Sequence, residues 1–519
     1  MRIKPLALLL GIGLGVNAWA YESLPEAEVR APIYQNTIAK NPLYQESVTT
    51  AQTANPLSQS GGLSVTTGQR FNEQYINREI AAWVLRQVNA SLSLVEDPWV
   101  NQLIGGMTSE LNAKVRTQGL YAVPVIADTS INAFATPGGL IGLNTGTVLS
   151  SENIDEVASV LAHEVAHLSQ RHYEHSQDNQ KKLIALQLGG LVAALLASAA
   201  GGDAAAVAMI GSQTAGAEVM AANSREHERE ADRVGMQILM QAGYDPSAMP
   251  RFFNRLNQQA NLQQSKNAFI PSFVQSHPLT AERLSEATSR ASQYPKQVIS
   301  QASQKELFDK LTWRLKYVTK QVTTSELTTA SVRSQGARLA LVSQLADESQ
   351  TAKAWQVLQQ GKFDKNDPLV CITTAHVQTA EQNFAGAVAS LQSCQALYPE
   401  RRDLALHLAY ALIRADNPQR AVALVTPMTT AAPQDFYAWQ ALRQAYEALA
   451  TKGTDTQKQT ATIKALQARS HVELWKGAYQ GALQSNAQAQ TLAKQYAPTL
   501  TATLEKEKTD IIRARDFKP

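Results

Sequence analysis

The sequence predicts a mainly α protein in two parts, an α+β domain built around one small sheet followed by an all-α solenoid of tandem helical repeats. Three observations predict it. Beyond about residue 70, apolar residues recur at spacings of three and four, the helical period. One stretch, "YAVPVIADTSINAFATPGGLIGLNTGTVLS", instead reads as short strands around a Thr136-Pro137-Gly138-Gly139 turn. Finally, Ala375, Ala387, Leu391 and Pro399 return as Ala409, Ala421, Val425 and Pro433, each 34 residues further on, the period of a stacked two-helix unit. With 519 residues and 44% apolar content, the chain can bury more than one core.

The first twenty residues, "MRIKPLALLLGIGLGVNAWA", combine Arg2 and Lys4 with a short apolar core and Ala18-Trp19-Ala20 before Tyr21. This is the pattern of a cleaved export signal (1–20), since the apolar run is too short to span a bilayer. No Cys follows the cleavage site, so no lipid anchor is expected there. Removing Arg2 and Lys4 lowers the formal charge from +3 to +1, which leaves no electrostatic case for nucleic acid. Residues 21–70, rich in Pro, Ser, Gln, Thr and Gly, read as an extended or partly disordered lead-in. A compact domain is expected over 71–300, opening with the helix of "GQRFNEQYINREIAAWVLRQV". In its β region, Val123 to Ile126 is one strand and "INAFA" and "LIGLN" form a hairpin.

The next helix carries chemistry. In "SSENIDEVASVLAHEVAHL", Ile154, Val157, Leu161, Val165 and Leu168 define an apolar stripe, and Glu152, Asp155 and Glu156 crowd the first turn, where the helix dipole favours negative charge. His163 and His167 lie one turn apart on a shared face, so both imidazoles can reach one metal ion. Glu164 then stands beside the metal, placed to take a proton from water whose pKa zinc lowers to about 7. The alternative is a surface helix with scattered charges. A third ligand decides between them, and the compact HExxHxxGxxH pattern is excluded because Gln170 and Tyr173 occupy its Gly and His positions. His172 and His175 fall at the wrong offsets.

The third ligand is expected from "NSREHEREADRVGMQILMQAGYDP". Glu228 and Asp232 face one way, four residues apart. Glu228 can bind the metal while Asp232 accepts the free ring N–H of a ligand histidine, and Ala231 lets the two helices approach. Glu226 and Glu230 share the spacing, but neither is followed by an Asp beside a small residue. The domain therefore reads as an α+β zincin-type metallopeptidase with a small sheet. A peptidase that cuts extended chains needs a strand edge beside the metal, which makes Asn132, Ala133, Phe134 and Ala135 the candidate substrate edge; the alternative is a hairpin that only completes the sheet. Between the two metal helices, 183–217 is uncharged from Leu183 to Ala200 and turns at Gly201-Gly202-Asp203, which predicts a hairpin of small-residue helices, either core or a surface for membrane or client.

"HEVAHLSQRH", "EREADRVG", "SHPLTAERL" and "INAFATPGG" together resemble the membrane-linked zinc metallopeptidases that include the CAAX prenyl proteases and the HtpX-type quality-control proteases. The leader and the repeats narrow the resemblance to periplasmic members. The resemblance implies that His163, His167 and Glu228 hold one zinc ion per chain and that Glu164 is the general base. It also implies unfolded, misassembled or stalled outer-membrane β-barrel proteins as substrates, a periplasmic location with peripheral membrane contact, and repeats that dock on the barrel-assembly machinery. In such proteins the His-Pro stretch lies near the metal. His277 is therefore the candidate fourth ligand or latch, one that keeps the peptidase silent until its loop moves. Arg283 is a candidate oxyanion stabiliser, against the simpler reading of a surface arginine.

After a helical connector (301–330), residues 331–519 read as tetratricopeptide repeats. Trp439, Leu442 and Tyr446 take the bulky positions of a first helix, "ARLALVSQLADESQTAKAWQVLQQ" is an earlier repeat and "ELWKGAYQGALQSNAQAQTLAKQYAP" a later one. Cys371 early in one helix and Cys394 late in the next meet in an antiparallel pair, which predicts a disulfide contributing roughly 3 kcal/mol in an oxidising compartment. The expectation is an exported zinc endopeptidase joined to a solenoid. Its competitor is a chaperone or scaffold working through the repeats, with latent or secondary peptidase activity.

Overall fold

The computed structural model describes residues 67–115, 119–170, 217–264, 273, 277–294 and 301–519. The export signal, almost all of the lead-in, His172, His175 and all but the last residue of the 183–217 hairpin lie outside the described residues. The first helix, α1 (Thr67–Ser91), begins inside the expected lead-in. It is followed by α2 (Pro98–Asn112), whose start is fixed twice: Pro98 needs no N–H partner at the first helical position, and the Asp97 carboxylate accepts the Val100 N–H.

Three strands follow, β1 (Val125–Ile126), β2 (Ala133–Thr136) and β3 (Leu140–Asn144), in the order β1-β3-β2. The hairpin forms as the turn residues predict, with Ala133 opposite Leu143 and Thr136 opposite Leu140. Gly138 sits at φ 85°, and a Cβ there would fall 2.0 Å from the Asn77 carbonyl of α1, so the turn needs glycine for conformation and for room. β1 runs parallel to β3 and is shorter than the expected Val123–Ile126, because Pro124 has no N–H to extend the ladder. Every residue of β2 and β3 is buried. The two-residue period still sorts them: Ile126, Phe134 and Leu140 join Ile80, Val84 and Leu85 of α1, while Val125, Ala133, Ala135, Ile141 and Leu143 join the opposite core.

That opposite core is built on α4 (Ile154–Ser169), which follows the short α3 (Thr145–Leu149). Asn153 caps α4 by accepting the Glu156 N–H. The sequence showed one apolar stripe, but every residue from Ile154 to His167 except Asp155 is buried, because helices and sheet enclose α4 on all sides. Even Glu156 is fully buried, where its carboxylate takes the Glu152 N–H and pairs with Arg255. α5 (Ala217–Ala242) packs across α4 and stops at Gly243, φ 86°. α6 (Ala248–Gln264) and α7 (Ala281–Ala291, capped by Thr280) complete the domain.

The remaining helices are α8 (Gln301–Val318), α9 (Thr324–Ala330), α10 (Gln335–Asp347), α11 (Thr351–Gln359), α12 (Pro368–Ala380), α13 (Phe384–Leu397), α14 (Arg402–Arg414), α15 (Pro418–Ala431), α16 (Phe436–Leu449), α17 (Asp455–Trp475), α18 (Tyr479–Tyr496) and α19 (Thr501–Asp516). The repeating positions Ala375, Ala387, Leu391, Ala409, Ala421 and Val425 are all buried where α12 to α15 stack. Cys371 and Cys394 are joined by a disulfide across α12 and α13. No described helix is long and apolar enough to cross a membrane.

The solenoid does not stand free. α14 packs on α2, and the Tyr437 hydroxyl and Gln434 amide donate to the carbonyls of Val95 and Tyr121. Asn89 of α1 donates to the Trp475 carbonyl, and Phe436 and Trp475 join the cluster of Ile80, Val84 and Leu85, so aromatics of the repeats also face the first domain. At the centre of the seam, Arg314 of α8 is 7% exposed and bonds Asp97 at 2.7 and 3.0 Å and Ser343 at 3.1 Å. Burial alone would raise the Asp97 carboxyl, but Arg314 and the Val100 N–H hold it below the usual range. Replacing Arg314 by Leu leaves that carboxylate buried without its cation. We expect a loss of about 3–5 kcal/mol in urea unfolding, and a smaller loss when Asp97→Asn is combined with it.

Candidate metal centre

α4 presents His163 and His167 one turn apart, and α5 presents Glu228 and Asp232 one turn apart on the facing side. The helices can approach because small residues line the contact. Ala231 is fully buried, and a Cβ on Gly235 would lie 3.3 Å from the Ala162 carbonyl and the His163 nitrogen. His277 enters from the segment before α7, with its N–H bonded to the Phe273 carbonyl. Phe253 and Phe273 form apolar walls, their ring centroids 6.3 and 6.2 Å from that of His163.

Four buried side chains converge, His163, His167, Glu228 and His277. His163 Nε2 lies 3.1 Å from His167 Nε2, 3.4 Å from Glu228 Oε2 and 3.3 Å from His277 Nδ1. Glu228 Oε1 lies 3.4 Å from His167 Nε2 and 3.1 Å from His277 Nδ1. Donor atoms at about 2.0–2.1 Å from a tetrahedral ion stand roughly 3.3–3.4 Å from one another. The spacing and the N/O donor set therefore fit a small divalent cation.

Around these four, Asp232 Oδ1 lies 3.1 Å from His163 Nδ1. Arg283, for which a surface position was the simpler expectation, is 1% exposed and bonded to Asp232, Glu228 and the Pro278 carbonyl. Its five donors fit the carboxylates it meets, which hold it in the interior. Glu164 is fully buried, and among the described residues neither of its oxygens has a hydrogen-bond partner; Oε1 is 3.5 Å from His277 Nε2. A buried carboxylate aimed at a metal-sized cluster without a hydrogen bond is placed to accept a proton from something that enters there.

β2 is the edge of the sheet next to α4. Asn132, expected in the strand, lies just before it, and its carbonyl accepts the Asn144 N–H. By antiparallel alternation, Phe134 pairs inward with Gly142. Only Ala133 and Ala135 then direct backbone groups away from β3.

Several contributors were invisible in the sequence. Nothing there distinguished Phe253 or Phe273 as walls, or Arg255 as the cation that holds Glu156 at the start of α4. The "HPLTAER" string did carry Arg283, but its meaning needed a partner fifty-one residues away.

A glutamate from one helix facing an HExxH helix, inside a small α+β domain, defines a metallopeptidase. Residues 95–291 match peptidase family M48, and residues 378–446 match the tetratricopeptide repeat. The chain is 30% identical to the β-barrel assembly-enhancing protease of Yersinia pestis, over 75% of this chain and 81% of that protein. It is 27% identical to the protein of the same name from Escherichia coli K12, over 77% and 81%. The mitochondrial metalloendopeptidase OMA1 of Saccharomyces cerevisiae is 30% identical over 32% of this chain and 45% of that protein. The chain belongs to the β-barrel assembly-enhancing proteases within peptidase family M48.

The electrostatics of the cluster give a further test. Burial opposes charge on His163, yet Asp232 and Glu228 outweigh it and push its pKa up to about 10. Burial holds His167 down, to about 4. Burial would raise the Glu228 carboxyl, but the imidazoles around it hold it well below the usual range. At neutral pH the metal-free site therefore keeps a proton on His163 that a metal must displace. Calorimetric titration with zinc, in buffers of different ionisation enthalpy near pH 7.5, should show about one proton released per chain, and the apparent affinity should rise with pH.

Proposed function

We propose that the chain is a periplasmic zinc endopeptidase that degrades misassembled or stalled outer-membrane β-barrel proteins and assists their assembly. The observation that carries the reading is the buried convergence of donor atoms from His163, His167, Glu228 and His277 beside a Glu164 that, among the described residues, lacks a hydrogen-bond partner. Zinc suits an imidazole and carboxylate set, and when bound it supplies a Lewis acid for the scissile carbonyl and acidifies water. His163, His167 and Glu228 are the proposed ligands. Asp232 orients the His163 ring, and Glu164 takes the proton from the attacking water and delivers it to the departing amine.

The client strand is proposed to pair with the outward backbone of Ala133 and Ala135 on β2, which holds an extended chain without reading its side chains. His277 is the proposed latch. Catalytic zinc sites keep one position open, whereas here a fourth donor closes the set and also lies 3.5 Å from Glu164. The repeats are proposed to dock on the barrel-assembly machinery, a role in keeping with relatives named β-barrel assembly-enhancing proteases.

The test is degradation of an unfolded outer-membrane β-barrel protein by the purified mature chain. Glu164→Gln should lower the rate by at least about 100-fold while leaving zinc content intact. His277→Ala should cut faster than the wild type, and unchanged or slower cutting rejects the latch. If wild type and both variants leave the client intact but soluble, with zinc bound, the solenoid acts as a chaperone and the peptidase reading fails.

A further inference from the structure

We propose that Arg283 is a positioning residue for the metal ligands rather than an oxyanion group: its guanidinium sets Glu228 directly and His163 through Asp232. The inference rests on the zinc reading above and assigns the part of the site that keeps its ligands in register. Arg283 is the largest fully buried side chain among the described residues. Its Nε and Nη2 each donate at 2.8 Å to the two oxygens of Asp232, a two-pronged pairing that fixes the carboxylate plane. Its Nη1 donates at 2.8 Å to the Pro278 carbonyl and lies 3.0 Å from Glu228 Oε2. The guanidinium carbon sits 5.4 Å from the centre of the Phe253 ring, which holds it in place from one side.

Four of the five N–H donors are thereby directed at two carboxylates and one carbonyl, so most of the group's hydrogen-bonding capacity is spent on the site's own residues. The two carboxylates it holds serve the metal set. Asp232 Oδ1 is 3.1 Å from His163 Nδ1, and Glu228 Oε2, held 3.0 Å from Arg283, also faces His163 and His277, while Oε1 faces His167 and His277. The same Nη1 grips the residue after His277, so one side chain ties both ligand helices to the latch segment. A lysine keeps the charge but cannot form the fork.

The experiment uses the full mature chain as wild type, Arg283→Lys, Asp232→Asn and the double variant. Zinc affinity is read by competition with a chromophoric chelator, the ligand field by the visible spectrum of the cobalt-substituted protein, and fold by melting temperature. Kcat and KM are measured on a peptide substrate. Each single variant should weaken zinc about 10- to 100-fold and alter the cobalt spectrum, and the double variant should be no weaker than the weaker single, since the Asp232 contribution is already lost with the Arg283 fork. Zinc affinity and cobalt spectrum unchanged in Arg283→Lys, with only kcat reduced, would make Arg283 an oxyanion group and overturn the proposal. Losses that multiply in the double variant overturn it as well. If Arg283→Lys does not fold, the isosteric Asp232→Asn decides, and wild-type zinc binding there rejects the idea. A wild type that takes up no zinc sinks the proposed function and this inference with it, whereas zinc uptake unaffected by the variants sinks this inference alone.

Discussion

Burying several charges in one place constrains the whole first domain. Glu228 and Asp232 are each at most 6% exposed, and an isolated carboxylate at such a depth would be expelled or protonated. They are tolerated because imidazoles and one guanidinium surround them within contact distance. That arrangement needs two helices pressed together, small residues between them and aromatic walls to exclude water. Ala231, Gly235, Phe253 and Phe273 follow from this demand. Half of such a site would be unstable, since each group depends on a neighbour supplied by a different element.

The parts of this structure that were legible in the sequence are those whose signal is local. A period of three to four gave α4, turn residues gave the β2–β3 hairpin, and a shift of 34 gave the repeats. His163, Glu164 and His167 share one helical turn, and Glu228 and Asp232 share another, so the spacing put each group together before the fold was known. What local pattern could not convey was enclosure. α4 looks one-sided in sequence because Ala158, Ala162 and Ala166 carry little hydrophobic signal, yet they are fully buried against neighbours. Arg283 misled for a related reason: an arginine is a surface residue until its carboxylates are known, and Asp232 is remote in the chain. Asn132 looked like part of the strand, but its carbonyl turns toward β3.

The seam between the two parts belongs to the same class of long-range facts. No repeat motif announces that Asp97, which caps α2, will also meet Arg314 in the connector. Yet α2 packs on α4, and α14 packs on α2, so the helix bearing the histidines is two contacts from the repeats. The solenoid thus lies against a helix whose other side supports the metal helix, and the buried Arg314–Asp97 ion pair ties the connector to the first domain.

The edge at β2 has a consequence for what such an enzyme distinguishes. Two alanines whose outward groups are main chain offer a polypeptide no pocket and no charge, only a place to lie flat. A strand already paired with its neighbours has no free edge to give, and one still waiting for a partner does. If a client strand pairs at β2 as proposed, discrimination would depend on time rather than on spelling: a strand would be exposed to cutting only as long as it stays single, and correct assembly would end it.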